Sequence, residues 1–372
     1  MNFDHSEEQQ QLADSLRKYL ATNYSFEQRK AILTSASGSS DAAWAAFAEM
    51  GLTAITLSEA DGGFGGGALD LMAVMEAFGE ALVVEPLLEN VGLAGRLLAR
   101  TGSAAQKAAW LPGLIDGSVK LAFAGLEPGR RYDLAPAGTT ATPEGSGWVL
   151  DGAKCMVVGA ASATRLVVSA AAPQGSSLFL VDPHAAGVTL NPSRTVDGLR
   201  VADVRLANLL VGADALLGTA GSAGPAIEEA HDFACALLCA DTIGAMQSAC
   251  DATLDYIKQR KQFGVPIGSF QVLQHRMVEM LICTEQARSL AILAASKVDS
   301  AATAAERSRA VSAAMVKVAD SARQVSQESV QLHGGMGMTE ELKVSHTFRR
   351  LTTAALRFGD ADHHLERYAA LG

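Results

Sequence analysis

The stretch that decides the fold is DYIKQRKQFGVPIGSFQVLQHRMVEM, residues 255–280 of a 372-residue chain. A helical pattern in it ends with the basic run KQRK (258–261), and Gly264 and Pro266 follow. Cations in a last turn complement the helix dipole, and glycine followed by proline is typical of a helix end. Helix termination alone explains each of these residues, so a functional interpretation needs further evidence from the chain.

The composition limits the class of protein. Hydrophobic residues make up 49% and charged residues 19%, which indicates an ordered globular chain. The net charge of -10 argues against a nucleic-acid partner, because phosphate binding needs a basic face. The start MNFDHSEEQQ lacks the layout of a signal peptide, and we expect no apolar run near the roughly 18 residues of a membrane helix. The five cysteines include no CxxC pair, so a reduced, cytoplasmic protein with no membrane partner is predicted.

Three stretches with different residue patterns predict an α+β protein with three domains, at residues 1–117, 118–218 and 219–372. The first has helical apolar spacing, including the run from Leu69 to Arg100. The second carries short β-prone runs such as TRLVVSAAA and SSLFLVD between turn residues, which favours a β-sandwich or barrel. The third is helical again and predicts a four-helix bundle. Its long helices are expected at about 225–261, 268–298 and 303–332.

A second motif, QLHGGMGMTEE (331–341), lies some sixty residues after RKQF (260–263) and FQ (270–271). With these motifs in this order, the chain resembles the acyl-CoA dehydrogenase family along its whole length. The helical, β and helical textures match the three domains of that family. The resemblance implies an FAD-dependent flavoprotein that oxidises the Cα–Cβ bond of acyl-CoA thioesters.

The resemblance also implies which residues contact FAD. A guanidinium suits a pyrophosphate, and glycines let backbone N–H groups come close to it. In the family this flavin belongs to the neighbouring subunit, so a homodimer, a homotetramer or a heterotetramer with a paralogous subunit is implied. His363 and His364 are adjacent on the chain and would make a poor metal pair. The implied FAD contacts are Arg260, Gln262, Phe263, Phe270, Gln271, Gln331, Leu332, His333, Gly334, Gly335, Asp362 and His364.

The predicted β domain departs from the family pattern where it should meet the flavin. In FAGLEPGRRYD (123–133), Leu126 and Tyr132 stand where the family has a threonine and a serine. The run Met156 to Val158 replaces a W-I-T sequence whose tryptophan lies beside the flavin ring. Each lost hydrogen bond is worth about 0.5–1.5 kcal/mol, so flavin binding could weaken by roughly tenfold or more. Arg130 and Arg131 either compensate by meeting a phosphate or are solvated.

The catalytic base is expected near the C-terminal end, in ALRFGDADHHLER (355–367). Alignment with the family motif Y-E-G-T places Gly359 on the tyrosine and Asp360 on the glutamate that removes the α-proton. Other family members carry the base on a bundle helix, but here Ala234 and Cys235 occupy those positions. Asp360 would also serve as the N-cap of a last helix, and that role alone would explain the residue.

Two functions of different class stay open. In the first, the chain is an acyl-CoA dehydrogenase in which Asp360 is the base, and its backbone N–H helps polarise the thioester carbonyl. An electron-transfer flavoprotein would then reoxidise the flavin. In the second, the chain resembles the small or partner subunits of heteromeric bacterial acyl-CoA dehydrogenases, such as pimeloyl-CoA dehydrogenase, and has no base of its own. A flavin oxidase of a non-CoA carbon acid is a third, more distant alternative.

Overall fold

The elements of the computed structural model, which describes residues 6–371, follow the order helices, strands, helices. The predicted α+β class is therefore confirmed. The first helix begins with a capping box, in which the Ser6 hydroxyl accepts the Gln9 N–H and the Gln9 side chain accepts the Ser6 N–H. The N-terminal helices are α1 (Glu7–Asn23), α2 (Phe26–Thr34), α3 (Asp41–Glu49), α4 (Ala68–Ala81), α5 (Arg96–Thr101) and α6 (Ala104–Ile115).

The middle of the chain forms one eight-stranded mixed sheet. Its strands are β1 (Leu121–Ala124), β2 (Thr140–Glu144), β3 (Gly147–Val158), β4 (Arg165–Ala172), β5 (Gly175–Val181), β6 (Val188–Arg194), β7 (Arg200–Val211) and β8 (Leu216–Leu217). The order across the sheet is β6-β7-β3-β2-β4-β5-β8, and β1 pairs with β4 in parallel. Leu150, Leu166, Phe179 and Leu206 are fully buried in its core. The β-prone runs predicted six of these strands, but β2 and β8 were missed.

Long helices dominate the C-terminal part. The three predicted long helices are confirmed, with ends that differ from expectation by at most three residues. A short hairpin joins the first two of them. The elements are α7 (Gly224–Gln259), β9 (Lys261–Gln262), β10 (Val265–Pro266), α8 (Gln271–Ser300), α9 (Ala304–His333), α10 (Lys343–Ala354) and α11 (Ala361–Ala370).

The described chain divides into two compact units. Unit 1 holds the chain up to Ala31, Ala68–Val83 and the chain from Cys235 onward, whereas unit 2 holds Ile32–Gly67 and Val84–Ala234. Unit 1 thus contains α1, α4 and α8 to α11, and unit 2 contains the sheet. This division follows contacts and not chain order, so the three-part domain boundaries remain a prediction.

In unit 1, α4 and α7 approach until their backbones touch at two glycines. A Cβ atom built on Gly79 would lie 1.8 Å from the carbonyl oxygen of Asp241. A Cβ on Gly244 would lie 1.9 Å from the carbonyl oxygen of Glu76. No larger residue fits either position unless the helices separate.

Two ion pairs, one partly buried and one fully buried, flank this helix crossing. Glu76 of α4 accepts a hydrogen bond from Arg288 of α8. Asp241 of α7 binds Arg350 of α10 through two hydrogen bonds of 3.0 and 2.7 Å, and both side chains are buried. The bidentate geometry fixes the rotation of α10 about its axis, because a planar guanidinium fork accepts one orientation of the carboxylate.

The run from Leu69 to Arg100 has the predicted helical character, but it is not one continuous helix. α4 ends at Ala81, and Leu82 adopts the left-handed conformation with φ of 57°. Pro86 disfavours a helical conformation in the residue before it, and a π-helix then covers Leu88–Gly95. Apolar periodicity alone could not reveal this interruption, because the apolar spacing continues through it and Pro86 is the one local signal of a break.

The expectation that no stretch resembles a membrane helix also needs correction. α7 contains an 18-residue window long and apolar enough to cross a membrane. However, 89% of that window is buried inside the protein. α7 is therefore the core helix of the bundle, and its apolar character reflects packing on all sides.

The α4–α7 crossing predicts a strong steric sensitivity. We expect Gly79→Ala or Gly244→Ala to lower the free energy of unfolding by about 1–3 kcal/mol or more, because the added methyl meets backbone and not a movable side chain. Urea denaturation measures this change. Gly224→Ala, at the start of α7, is the control, since a Cβ there meets nothing within 4 Å. Equal stability of all three variants would contradict the packing described.

Candidate active site

The hairpin that follows α7 presents an aromatic ring to solvent. β9 and β10 pair across Phe263 and Gly264, whose φ values are 54° and 84°. Positive φ at both central residues is the requirement of a type I′ turn, and only the glycine meets it without strain. The Phe263 side chain is 92% exposed and lies edge-on to Phe270, with ring centroids 6.1 Å apart. An exposed, strained phenylalanine is typical of a residue that contacts something outside its own chain.

α9 ends in a turn that exposes its backbone. Gly334 has φ of 61° and ψ of -145°, a conformation open essentially to glycine. A Cβ built on Gly334 or Gly335 would meet nothing within 4 Å. The glycines therefore do not relieve crowding inside the protein; they leave room for a ligand to reach the main chain.

The hairpin, the glycine turn and the start of α8 enclose a hollow of about 540 Å³, which we call the arginine hollow. Among the described residues, no side chain pairs with the Arg260 guanidinium, which leaves its donors available to an anion. Seven of the predicted FAD contacts line it: Arg260, Gln262, Gln331, Leu332, His333, Gly334 and Gly335. Five other residues complete the lining: Tyr256, Ile267, Leu273, Arg276 and Met336.

His333 is the buried wall of the arginine hollow. Burial lowers its pKa, although a hydrogen bond to the carbonyl of Ser329 acts in the opposite direction. Nδ1 lies 2.8 Å from that carbonyl and must be the donor, so the neutral ring carries its proton on Nδ1. The ring also stacks on Tyr256, with centroids 4.4 Å apart. His333 therefore presents a bare Nε2 acceptor and adds no positive charge at neutral pH.

Asp360 is the N-cap of α11, as predicted. Its Oδ1 accepts the backbone N–H of His363 at 2.9 Å. It also lines a second hollow of about 400 Å³ between α9, α10 and α11, which we call the aspartate hollow. Asp362 lies in the first turn of α11 and lines the same hollow. The cap fixes the carboxylate of Asp360 without closing access to it.

Gly359 is held against two histidine rings. Its φ is 128°, and a Cβ there would lie 2.6 Å from atoms of both His363 and His364. His364 is fully buried, with Nε2 3.2 Å from the carbonyl oxygen of Phe358. A direct contact of His364 with FAD remains a prediction.

In unit 2, a buried carboxylate holds the loop between β1 and β2. Glu127 accepts the backbone N–H groups of Ala137, Gly138 and Thr139 and the ammonium of Lys154 at 2.9 Å. Burial alone would raise the pKa of Glu127, but the hydrogen bonds from Gly138 and Lys154 outweigh it and lower the pKa to about 2. Arg130 pairs with Asp133 within the loop, and a contact of Arg130 or Arg131 with a phosphate remains a prediction.

A β-bulge in β3 displays Met156 in place of the family's tryptophan. The pairing of β3 with β7 shifts register between Lys154 and Val157. Met156 has φ of 55°, is 51% exposed and donates its backbone N–H to Asp203 at 3.1 Å. Bulges often aim a side chain at a functional site. This one offers a flexible thioether where an indole is expected.

The bundle position of the alternative base holds no carboxylate. Ala234 and Cys235 are both fully buried. Asp232, two residues earlier, is also buried and has interaction partners within the protein. Among the described residues that were aligned with a family base, Asp360 is therefore the one carboxylate that lines a hollow.

The structure brings together most of the predicted site residues, although their roles remain predictions. The arginine hollow collects seven of them, and Phe263 and Phe270 lie beside each other on the hairpin side. Gln271 is the exposed first residue of α8. Sequence reasoning missed Tyr256 and Arg276 in the arginine hollow and Arg323 in the aspartate hollow. Helical spacing from Arg260 and Gln331 could have indicated Tyr256, but no local signal marks the other two.

Comparison with protein families covers nearly the whole chain. Residues 6–118 match "Acyl-CoA dehydrogenase, N-terminal domain", and residues 122–209 match "Acyl-CoA dehydrogenase, middle domain". Residues 224–370 match "Acyl-CoA dehydrogenase, C-terminal domain".

Individual relatives agree with this match. Acyl-CoA dehydrogenase FadE12 of Mycobacterium tuberculosis is 30% identical over 357 residues, which cover 92% of this chain and 90% of that protein. The human mitochondrial short-chain specific acyl-CoA dehydrogenase is 29% identical over 312 residues, or 81% of this chain and 74% of that protein. Among solved structures, a variant of the Tcur3481–Tcur3483 steroid ACAD has a TM-score of 0.89 at 29% identity, covering 98% of this chain and 97% of that one.

The buried Glu127 predicts acid sensitivity of unit 2. Its pKa in the folded protein lies below the ordinary value of 4.5, so the ionised carboxylate stabilises the fold above about pH 4.5. This contribution, roughly 3 kcal/mol, is lost as the pH falls from about 4.5 towards 2. Unfolding free energies measured across this range should fall steeply for the natural protein and less for Glu127→Gln. Glu144→Gln, on an exposed strand end, is the control; parallel pH profiles for all three proteins would rule out this role.

Proposed function

This chain belongs to the acyl-CoA dehydrogenase family, and from that membership we propose that it performs the α,β-dehydrogenation of an acyl-CoA thioester with Asp360 as the base. Members of the family are FAD-dependent oxidoreductases. The observation that carries the proposal is the meeting of seven predicted FAD contacts in one hollow, while Asp360 lines another in the same unit.

The arginine hollow fits the phosphate-bearing part of FAD. Arg260 has donors available, and the open backbone at Gly334 and Gly335 offers N–H groups to an anion. Bound FAD supplies the hydride acceptor of the reaction. We propose that Arg260, Gln331 and the glycine turn bind the flavin of a neighbouring subunit, and that Phe263 packs against that subunit.

Asp360 is proposed to remove the α-proton of the thioester. The Cα–H electron pair then forms the new double bond as a hydride departs from Cβ, so that one proton and one hydride leave the substrate together. The backbone N–H of Asp360 is proposed to donate to the thioester carbonyl, which acidifies the α-proton. Aspartate is one methylene shorter than the glutamate of the family motif. Gly359 allows the backbone to approach the substrate and offset this difference.

A second candidate function is that of a partner subunit in a heteromeric dehydrogenase. It is favoured by Met156, whose exposed thioether replaces the tryptophan of the family. Leu126 offers no hydroxyl in the place of the expected threonine, and Tyr132 puts a bulky phenol in the place of the expected serine. In this role the chain would lend Arg260 and the glycine turn to flavin held mainly by a paralogue. The small-subunit branch is supported by the likeness to the Tcur3481–Tcur3483 pair.

The proposed partners follow from the chemistry. Reduced flavin needs an oxidant, and an electron-transfer flavoprotein is proposed to take the electrons in two steps. A homodimer, a homotetramer or a heterotetramer would complete the arginine hollow with a second chain. We propose a cytoplasmic location, where acyl-CoA thioesters and such an acceptor are both available.

Asp360→Asn separates the two roles of this residue. Asparagine keeps the N-cap, so we expect an unchanged melting temperature and retained flavin. It cannot accept the α-proton, so the rate of flavin bleaching by a reactive acyl-CoA should fall by about 10²- to 10⁴-fold. Anaerobic stopped-flow absorbance measures that rate. Glu366→Gln, on the exposed face of α11, is the control, and bleaching of Asp360→Asn at the natural rate would eliminate Asp360 as the base.

Flavin retention distinguishes the two candidate functions. For a self-sufficient dehydrogenase, the chain purified alone should show the visible bands of flavin, and Arg260→Gln should weaken FAD binding by roughly 10- to 100-fold. Lys258→Gln is the control, because Lys258 is a cation of the same last helical turn that does not line the hollow. A colourless chain that acquires flavin only with a paralogous subunit would support the second candidate and contradict the first.

A further inference from the structure

The arginine hollow contains a second cation that no family motif marks. Arg276 lies on α8, one and a half turns after its start, and lines the hollow together with Arg260. The Arg276 side chain is partly buried, with 32% of its surface exposed. A cation at this place adds to the positive potential of the hollow, where His333 is neutral.

A glutamate on the next helix holds Arg276. Its Nε donates to Oε2 of Glu328 on α9 at 2.5 Å. This bond uses one of five N–H donors of the guanidinium. Within residues 6–371, no protein group pairs with its two terminal nitrogens, which carry the other four. The bond through Nε also fixes the plane of the guanidinium, so its outer edge has a defined direction.

We propose that Arg276 is a second phosphate-binding residue, oriented by Glu328, and that it works with Arg260 to hold a diphosphate in the arginine hollow. The proposal rests on the proposed flavin-binding function of this hollow and names a residue that the family motifs do not. Two guanidinium groups from different elements suit the two charged centres of a diphosphate better than one does. With Glu328 included, the three side chains leave one net positive charge facing the ligand.

An ion pair that merely ties α8 to α9 would use the guanidinium differently. In the Arg350–Asp241 pair, both Nε and a terminal nitrogen bind the carboxylate, and both side chains are buried. In the Arg276–Glu328 pair, one donor is used, both side chains are partly exposed, and Arg276 lines an open hollow. The pair is therefore better suited to orienting a ligand-binding guanidinium than to holding two helices together.

The test compares ADP with AMP, using the full chain freed of flavin and isothermal titration calorimetry. The natural protein should bind ADP more tightly than AMP, because ADP carries the second phosphate. Arg276→Gln should weaken ADP binding by about 10- to 100-fold and remove most of the preference for ADP over AMP. Arg276→Lys, which keeps the charge but loses the fork, should restore part of the affinity.

The control is Arg349→Gln. Arg349 is an arginine of unit 1 that a glutamate, Glu340, holds outside the hollow, so its loss should leave ADP binding unchanged. Glu328→Gln tests the orientation. If only the loss of a negative charge mattered, Glu328→Gln would bind ADP more tightly. If the orientation of the Arg276 guanidinium matters more, the variant should bind ADP about threefold or more weakly. We expect weaker binding.

The outcomes distinguish the role of Arg276 from the flavin-binding function on which it rests. If Arg276→Gln binds ADP with natural affinity and preference, the role of Arg276 is wrong while the flavin-binding function stands. If the natural chain binds neither ADP nor FAD, alone or with a paralogue, the flavin-binding function fails and this inference fails with it. Tighter ADP binding by Glu328→Gln would overturn the orienting role of Glu328. Melting temperatures show whether each variant is folded.

Discussion

Unit 1 depends on a place where two helices have no side chains between them. At Gly79 and Gly244 the backbones of α4 and α7 touch, which brings the flanking carboxylates of Glu76 and Asp241 to fixed positions. Asp241 then binds Arg350 and so sets α10, the helix that leads directly to Gly359 and Asp360. The position of the proposed base is thus determined by a steric constraint more than a hundred residues away along the chain.

The sequence predicted what local chemistry controls and missed what depends on assembly. The ends of α7, α8 and α9 were predictable, because glycine, proline and cap residues mark them. β2 was missed because its Pro143 argues against a strand; it is tolerated since β2 pairs with β4 only at Thr140, and Pro143 needs no donor on that side. Arg276 was missed because its contribution arises from the packing of α8 beside α9.

The two hollows show the same difference. The glycine turn and the RKQF run are recognisable as motifs in the sequence. Their meeting in the arginine hollow could therefore be expected. The interruption of the helix after Ala81 could not, since a π-helix has no compositional signature. Asp360 was predictable as a cap from its neighbours, whereas its access to the aspartate hollow depends on three helices packing together.

The buried Glu127 separates the shape of one loop in unit 2 from the residues that the loop exposes. The loop that carries Leu126 and Tyr132 is held by Glu127, which accepts three backbone N–H groups and the ammonium of Lys154. Its shape is therefore independent of the residues at its surface. Substitutions there change what the loop offers to a ligand without changing where the loop lies.

Gly359 restricts the paths by which this chain could have evolved from, or could return to, the family motif. Restoring the tyrosine of the family motif at position 359 is not compatible with this packing, because its Cβ would collide with the rings of His363 and His364. The histidines would have to change first. The order of substitutions is therefore constrained, because the identities of residues 363 and 364 decide which residues fit at position 359.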